Sequence, residues 1–225
     1  MSQVVAGFGV GWLVVAADRG VTQVANDTGK VLYRWRQQTS KLMITDGYPI
    51  VLTATGPGYA NDVIADYITG KTFMQEAGAV KTANQLWPLL CNRHKDDFGK
   101  KERRLSGMTF FAGAIDSLGI ARVVTGDYPG KDLELRFIPR MGGEPQWTEI
   151  GSAFVMQGVH NARWDVALGQ LTPAQGVEAT SAVLDTVLRI EGIRRAAGDQ
   201  DFVEAPFDVV LVTREGAQWI VKAQV

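Results

Sequence analysis

Met1-Ser2-Gln3-Val4-Val5-Ala6-Gly7-Phe8-Gly9-Val10-Gly11-Trp12-Leu13-Val14-Val15-Ala16-Ala17-Asp18 is the stretch on which the reading of the whole chain turns. Two apolar runs are separated by glycines, and a carboxylate closes the second run. Residues 3–9 and 12–17 read as two short buried strands. Gly7, Gly9 and Gly11 imitate a dinucleotide-binding fingerprint, but that motif needs a helix to open directly after its glycines. Leu13-Val14-Val15-Ala16-Ala17 is β-like instead, so the stretch is a hairpin. With Gly9-Val10-Gly11 as the loop, Ser2 faces Asp18 at a cross-strand Cβ separation of about 4.5–5.5 Å. A slip of one residue pairs Ser2 with Arg19 and turns Asp18 to the other face.

Ser2 carries the chemical interest. Initiator Met is ordinarily removed ahead of a residue as small as Ser. The new terminus then holds a hydroxyl nucleophile and an amine base, pKa about 7.7–8.0, on one residue. Nothing stands between Met1 and Ser2, so no pro-segment cleavage is expected. The plain alternative is that Ser2 is a small residue after Met, Asp18 a turn residue and Lys41 a solvated lysine.

The totals narrow the class. The 225 residues, 46% of them apolar, suffice for one large core, and the expectation is one domain over residues 1–225. A net charge of −1 gives no electrostatic case for nucleic acid or a membrane surface, and neither is an expected partner. No secretory signal and no membrane-length apolar run is found. The single Cys91 excludes an internal disulfide framework, fits a reducing, cytoplasmic setting and reads as a small buried hydrophobe on a helix.

After Asp18 comes a polar arm, Arg19 to Gln38, with its tip at Asn26-Asp27-Thr28-Gly29 and a strand at Val31–Trp35. Ser40–Thr45 and Pro49–Ala54 are read as a strand pair joined by a tight turn at Asp46-Gly47. Tyr59, Val63, Ile64, Tyr67 and Ile68 recur at helical spacing after the breaker Thr55-Gly56-Pro57-Gly58. A second helix is expected over about Val80–Lys95, kinked or interrupted at Pro88. Lys95–Arg104 reads as a solvated loop. Gly107–Ile115 and Ile120–Thr125 form a second core hairpin, and residues 132–138 and 146–150 continue as strands around Met141-Gly142-Gly143. A helix is expected at Phe154–Trp164. Another starts at Thr172-Pro173-Ala174-Gln175, a capping-box signature, with Val177, Leu184, Val187 and Leu188 as its buried stripe and Gly198 ending it. Val209–Val212 and Trp219–Val221 close the chain as a hairpin. Strands and helices grouped in this way, rather than alternating, argue for an α+β fold with two antiparallel sheets sandwiched between helix layers.

In order, these motifs resemble the proteasome β-type subunits and bacterial relatives such as the HslV protease, within the N-terminal nucleophile hydrolases. Val14-Val15-Ala16-Ala17-Asp18-Arg19 resembles the family's second strand with its acidic residue. Ser40-Lys41-Leu42-Met43 resembles the segment supplying the active-site lysine. Val51–Ile68, Gly113-Ala114-Ile115-Asp116 and Phe207-Asp208 through Gly216 match later segments. The resemblance implies a four-layer αββα sandwich, and a catalytic set of Ser2, Asp18, Lys41, Ser152 and an acidic residue at Asp201 or its neighbour Asp199. An oxyanion site would come from the backbone N–H of Thr55 or Gly56. Ser stands where the family typically has Thr. The implied activity is that of a self-compartmentalising endopeptidase of homo-oligomeric stacked rings, with peptide or unfolded protein as substrate and an ATP-dependent unfoldase as a candidate partner. The arm after Asp18 is longer than in typical members, which implies a role in substrate gating or selection. Rival readings are a catalytically degenerate structural subunit of the same fold, and an amidase acting on a small molecule. No cofactor and no metal is expected: His94 and His160 lack paired ligands and read as surface or cap residues.

Overall fold

The computed structural model describes residues 3–24, 31–36, 40–75, 78–98, 107–128, 131–137, 146–150, 171–196 and 207–222. The opening hairpin is present as β1 (Val4–Gly9) and β2 (Trp12–Ala17), both buried throughout. Its register corrects the expectation. Gly9 faces Trp12 and Val4 faces Ala17, so the loop is the two residues Val10-Gly11. Gln3, not Ser2, is then the residue opposite Asp18, and the Asp18 N–H donates to the Gln3 carbonyl at 3.1 Å. The cause lies at the turn. Gly11 has φ +77°, which only glycine adopts readily, and its N–H bonds the Gly119 carbonyl at 3.0 Å while Val10 bridges Ile120.

The arm forms as β3 (Gly20–Val24) paired with β4 (Val31–Arg36). β5 (Met43–Ile44) pairs with β7 (Val51–Thr55). Asp46–Gly47, expected as a tight turn, is instead β6, a short parallel partner of β8 (Thr72–Phe73). The chain reverses over a wider span there, with Thr45 Oγ1 donating to Tyr48 O at 2.7 Å and accepting from Ile50 N at 2.9 Å.

α1 (Tyr59–Ile68) starts after the Gly-Pro-Gly breaker and buries Ala60 and Ile64. α2 (Gly78–Phe98) runs through Pro88 and takes in the first residues of the charge run expected as loop. A proline inside a helix forfeits one backbone bond. Here the stripe Ala79, Ala83, Leu86 and Leu90 keeps the helix docked on both sides of it. β9 (Met108–Ile115) and β10 (Ala121–Tyr128) form the second core hairpin.

β11 (Lys131–Phe137) and β12 (Gln146–Ile150) exist as expected but do not continue one sheet. β11 borders β10, whereas β12 borders β1. α3 (Pro173–Ala196) opens with the expected capping box: Thr172 N donates to Gln175 Oε1 at 2.9 Å and Gln175 N to Thr172 Oγ1 at 3.4 Å. β13 (Asp208–Thr213) and β14 (Gly216–Val221) complete the chain. The expected helix at 154–164 and the helix end at Gly198 fall outside the described residues, as does the arm tip at 26–29.

Among the described residues the result is a mixed α+β fold with two five-stranded antiparallel sheets, β12-β1-β2-β13-β14 and β11-β10-β9-β7-β5. Alternation along the strands sorts the core. Ala6, Phe8, Leu13 and Val15 of the first sheet meet Val51, Phe111, Ile115 and Val123 of the second in one buried cluster. Gly113 marks how closely the sheets approach, because a Cβ there would stand 2.7 Å from Leu13 Cδ2. Leu52, Phe110 and Ala112 turn the other way and pack with α1 and α2. Val5, Trp12, Val14 and Ala16 pack with Val183 and Leu184 of α3.

The sheets are also pinned at one end. Besides the Gly11–Gly119 bond, Arg214 of the β13–β14 turn donates to the Ser117 carbonyl of the β9–β10 turn at 2.5 Å. The other end of β1 and β2 lies one strand length away, about 20 Å for six residues.

Candidate active site

At that far end, Asp18 sits just past β2 and is fully buried. Its Oδ1 accepts from Gln3 N at 2.7 Å and from Lys41 Nζ at 3.1 Å, and its Oδ2 from Gly20 N at 2.8 Å. Lys41 also donates to the Gly20 carbonyl. The lysine is delivered by the chain leading into β5: Ser40 Oγ accepts from Leu42 N at 3.1 Å, and Leu42 is buried in the inter-sheet core. An ammonium-to-carboxylate bridge therefore links the end of the first sheet's central strand to the entry of the second sheet.

Burial governs the ionisation of both partners. It pushes the Asp18 carboxyl above its ordinary range, while the Lys41 ammonium and the Gln3 and Gly20 N–H groups pull it back. It also holds the Lys41 ammonium below the usual lysine value, against the attraction of Asp18 and, further off, Asp208. Burial thus lowers the Lys41 pKa while the carboxylate beside it favours the ammonium form, and an ammonium so placed can stabilise a nearby developing negative charge.

Beside this pair lies a second buried one. Arg19 reaches Asp208 with two bonds, Nε to Oδ2 at 2.8 Å and Nη2 to Oδ1 at 2.8 Å, and their side chains are 3% and 0% exposed. The two-pronged bond raises the Arg19 pKa further. Sequence reasoning noted Arg19 and Asp208 only within strand motifs. The missed signal is a carboxylate set in the apolar run Phe207-Asp208-Val209-Val210, which demands a cationic partner wherever it is buried.

Thr55 is the last residue of β7 and is buried, and Gly56 follows it with φ +106°. A Cβ on Gly56 would stand 2.4 Å from the Gly107 carbonyl, so of the two candidates it is Gly56 that requires glycine. Ser2, Ser152 and Asp201 lie outside the described residues, as do His160 and Asp199. The structure thus brings Asp18 and Lys41 together and places Thr55 and Gly56 at the end of a second-sheet strand.

His94 corrects its sequence reading. It is 4% exposed rather than on the surface, with Nδ1 at 2.6 Å from the Tyr59 hydroxyl and its ring edge-on to Tyr128. The reason is that position 94 continues the buried stripe of Leu86 and Leu90 at a spacing of four residues, which turns it toward the second sheet. Cys91, one turn earlier, is partly buried on the same packed face. A cavity of about 500 Å³ opens elsewhere, between the start of α2 and the β9–β10 turn, lined by Tyr48, Lys81, Asn84, Asp116 and Arg122 among others, and shares no lining residue with the Asp18–Lys41 pair. Among the described residues, no helix is long and apolar enough to cross a membrane.

No family model matches the sequence, and no curated protein does. Solved structures do match. Anbu (ancestral beta-subunit) from Yersinia bercovieri superposes with a TM-score of 0.64 at 14% identity, covering 98% of this chain and 87% of that one. Anbu from Hyphomicrobium sp. strain MC1 gives a TM-score of 0.62 at 14% identity, and its Gly-1 mutant 0.62 at 16%, each covering 100% of this chain and 89% of the other. These likenesses establish the fold, which is that of the Anbu proteins. They also correct the resemblance drawn from sequence. These neighbours are Anbu proteins, related to the proteasome but distinct from it, and no sequence-level match links the chain to proteasome β subunits or to HslV.

Proposed function

We propose that the chain is an N-terminal serine hydrolase that cleaves peptide bonds, with Ser2 as nucleophile once Met1 has been removed. The observation that carries this reading is the buried Lys41–Asp18 pair, bonded to the backbone of Gln3, the residue next to Ser2. Ser2 Oγ would attack the scissile carbonyl while the α-amine, through a water, takes its proton. Lys41 supplies positive charge beside the forming alkoxide, and Asp18 fixes the lysine. The backbone N–H of Thr55 or Gly56 would receive the oxyanion. The C–N bond then breaks, the leaving amine takes the proton from the α-ammonium, and water hydrolyses the acyl ester. Ser152 and Asp201 are assigned to the same site by the sequence pattern alone.

Around this site the three core clusters fit a four-layer αββα sandwich, with residues 1–225 as one domain. The active form is assigned as a homo-oligomer with its sites facing an enclosed space, taking peptide or unfolded protein; a ring arrangement fed by an ATP-dependent unfoldase belongs to the same reading.

Intact-mass analysis before and after treatment with a peptide epoxyketone tests it, because that reagent needs both the hydroxyl and the free α-amine. The expected result is a protein lacking Met1 that gains one inhibitor mass, with no gain in Ser2→Ala. Retention of Met1 together with no adduct would overturn the reading.

A further inference from the structure

We propose that Arg19 and Asp208 are positioning residues that hold both acceptors of the Lys41 ammonium in place. Lys41 bonds the Asp18 carboxylate and the Gly20 carbonyl, and these two residues flank Arg19 directly. Just past β2 the tripeptide would be free to turn, yet its middle side chain runs to Asp208 and is gripped by two bonds. Asp208 is itself fixed as the first residue of β13, in register opposite Ala17. A planar guanidinium held at two nitrogens fixes orientation as well as distance. The Asp18 carboxylate closes the arrangement by accepting from Gly20 N at 2.8 Å, so neither acceptor can shift without the other.

Geometry and charge act together here. Among the described residues, the charged groups acting on Lys41 are Asp18 and, at longer range, Asp208, and both favour its ammonium form. Burying four charges without solvent is costly, and an apolar pair at positions 19 and 208 would close the strand ends as well. A grip on the lysine's two acceptors gives the charges a purpose that closing the strands does not.

The proposal rests on the hydrolase reading for its catalytic consequence, and the test separates the two. The Lys41 titration midpoint is followed by NMR of lysine-labelled full-length protein, assigned by comparison with Lys41→Arg, alongside kcat and KM on a fluorogenic peptide. Asp208→Asn is expected to lower the Lys41 midpoint, because an attractive charge is lost. Arg19→Lys keeps the charge but loses the two-pronged grip, and kcat is expected to fall by about tenfold or more with KM little changed. Arg19→Gln/Asp208→Asn replaces the ions by a neutral hydrogen-bonding pair and guards against a folding failure of the single variants; its Lys41 midpoint is expected to fall too. Folded variants with the wild-type midpoint and kcat would overturn the proposal, and so would an unfolded double variant, which would assign the pair to the fold alone. A wild type without peptidase activity whose Lys41 midpoint still falls in Asp208→Asn would sink the hydrolase reading while leaving the positioning role intact.

Discussion

Asp18 is held by three donors from three parts of the chain: Gln3 before β1, Gly20 after β2 and Lys41 before β5. Removing one of them changes how the remaining charge tolerates burial. In Lys41→Met the carboxylate keeps its two N–H partners but loses its cation, and breaking a buried pair in this way costs about 3–5 kcal/mol. The pH dependence has a definite sign. Burial raises the folded-state pKa of Asp18 above the ordinary 3.8, and loss of Lys41 raises it further, so the native state binds the proton more tightly than the unfolded chain. Stability contributed by that proton is present at low pH and is lost as pH rises through the folded pKa. Urea denaturation of Lys41→Met and wild type is therefore expected to show a larger deficit at pH 7 than at pH 4; a deficit that shrinks toward neutrality would contradict the account. Asp18 and Lys41 were readable in the sequence only as members of an ordered set of motifs, since neither residue alone distinguishes a buried ion from a solvated one. Asp208 is legible on its own, because a carboxylate between Phe207 and Val209 has few ways to be satisfied when buried.

At the scale of elements, apolar periodicity placed the main strands and helices, and turn chemistry set their ends less well. Val10-Gly11 and Gly9-Val10-Gly11 are both plausible loops from sequence, and what decides between them is a bond to Gly119 more than a hundred residues away. α3 offers a sharper lesson in local against tertiary demands, since it holds two glycines in different surroundings. A Cβ on Gly176 would stand 2.6 Å from Trp12 Cη2, and that ring is fully buried with its Nε1 bonded to the Leu171 carbonyl at 2.9 Å. Gly192 is exposed, with nothing within 4 Å of such a Cβ. Gly176→Ala is expected to destabilise by about 1–3 kcal/mol through overpacking. Gly192→Ala is expected to stabilise by about 0.5–1 kcal/mol through helix propensity alone. Thermal unfolding of the two variants beside wild type checks the opposite signs.

For the whole molecule, the sequence grouping of strands and helices predicted two antiparallel sheets, and the sheets are there. What it could not show is which sheet a strand joins. β11 and β12 follow each other in sequence, and alternation looks the same in either sheet; only pairing with β10 or β1 separates them. That crossover, with β2 between β1 and β13, interleaves early, middle and late chain in one sheet. The chain is accordingly expected to unfold in one step, with tryptophan fluorescence and far-ultraviolet circular dichroism giving coincident urea transitions. Two separated transitions would argue for independent units. The pinned turns at Gly11, Gly119 and Arg214 carry one more consequence. With backbone joined to backbone there, the two sheets behave as a lever whose fulcrum is the clasp and whose long arm is a strand of about 20 Å. A rotation of about three degrees at the fulcrum displaces the far end by roughly 1 Å, a misplacement large enough to matter for a reacting group. The Lys41–Asp18 bridge spans the sheets at that end, so side-chain volume beside the clasp, where Leu13 lies over Gly113, becomes a remote control on the geometry of the lysine.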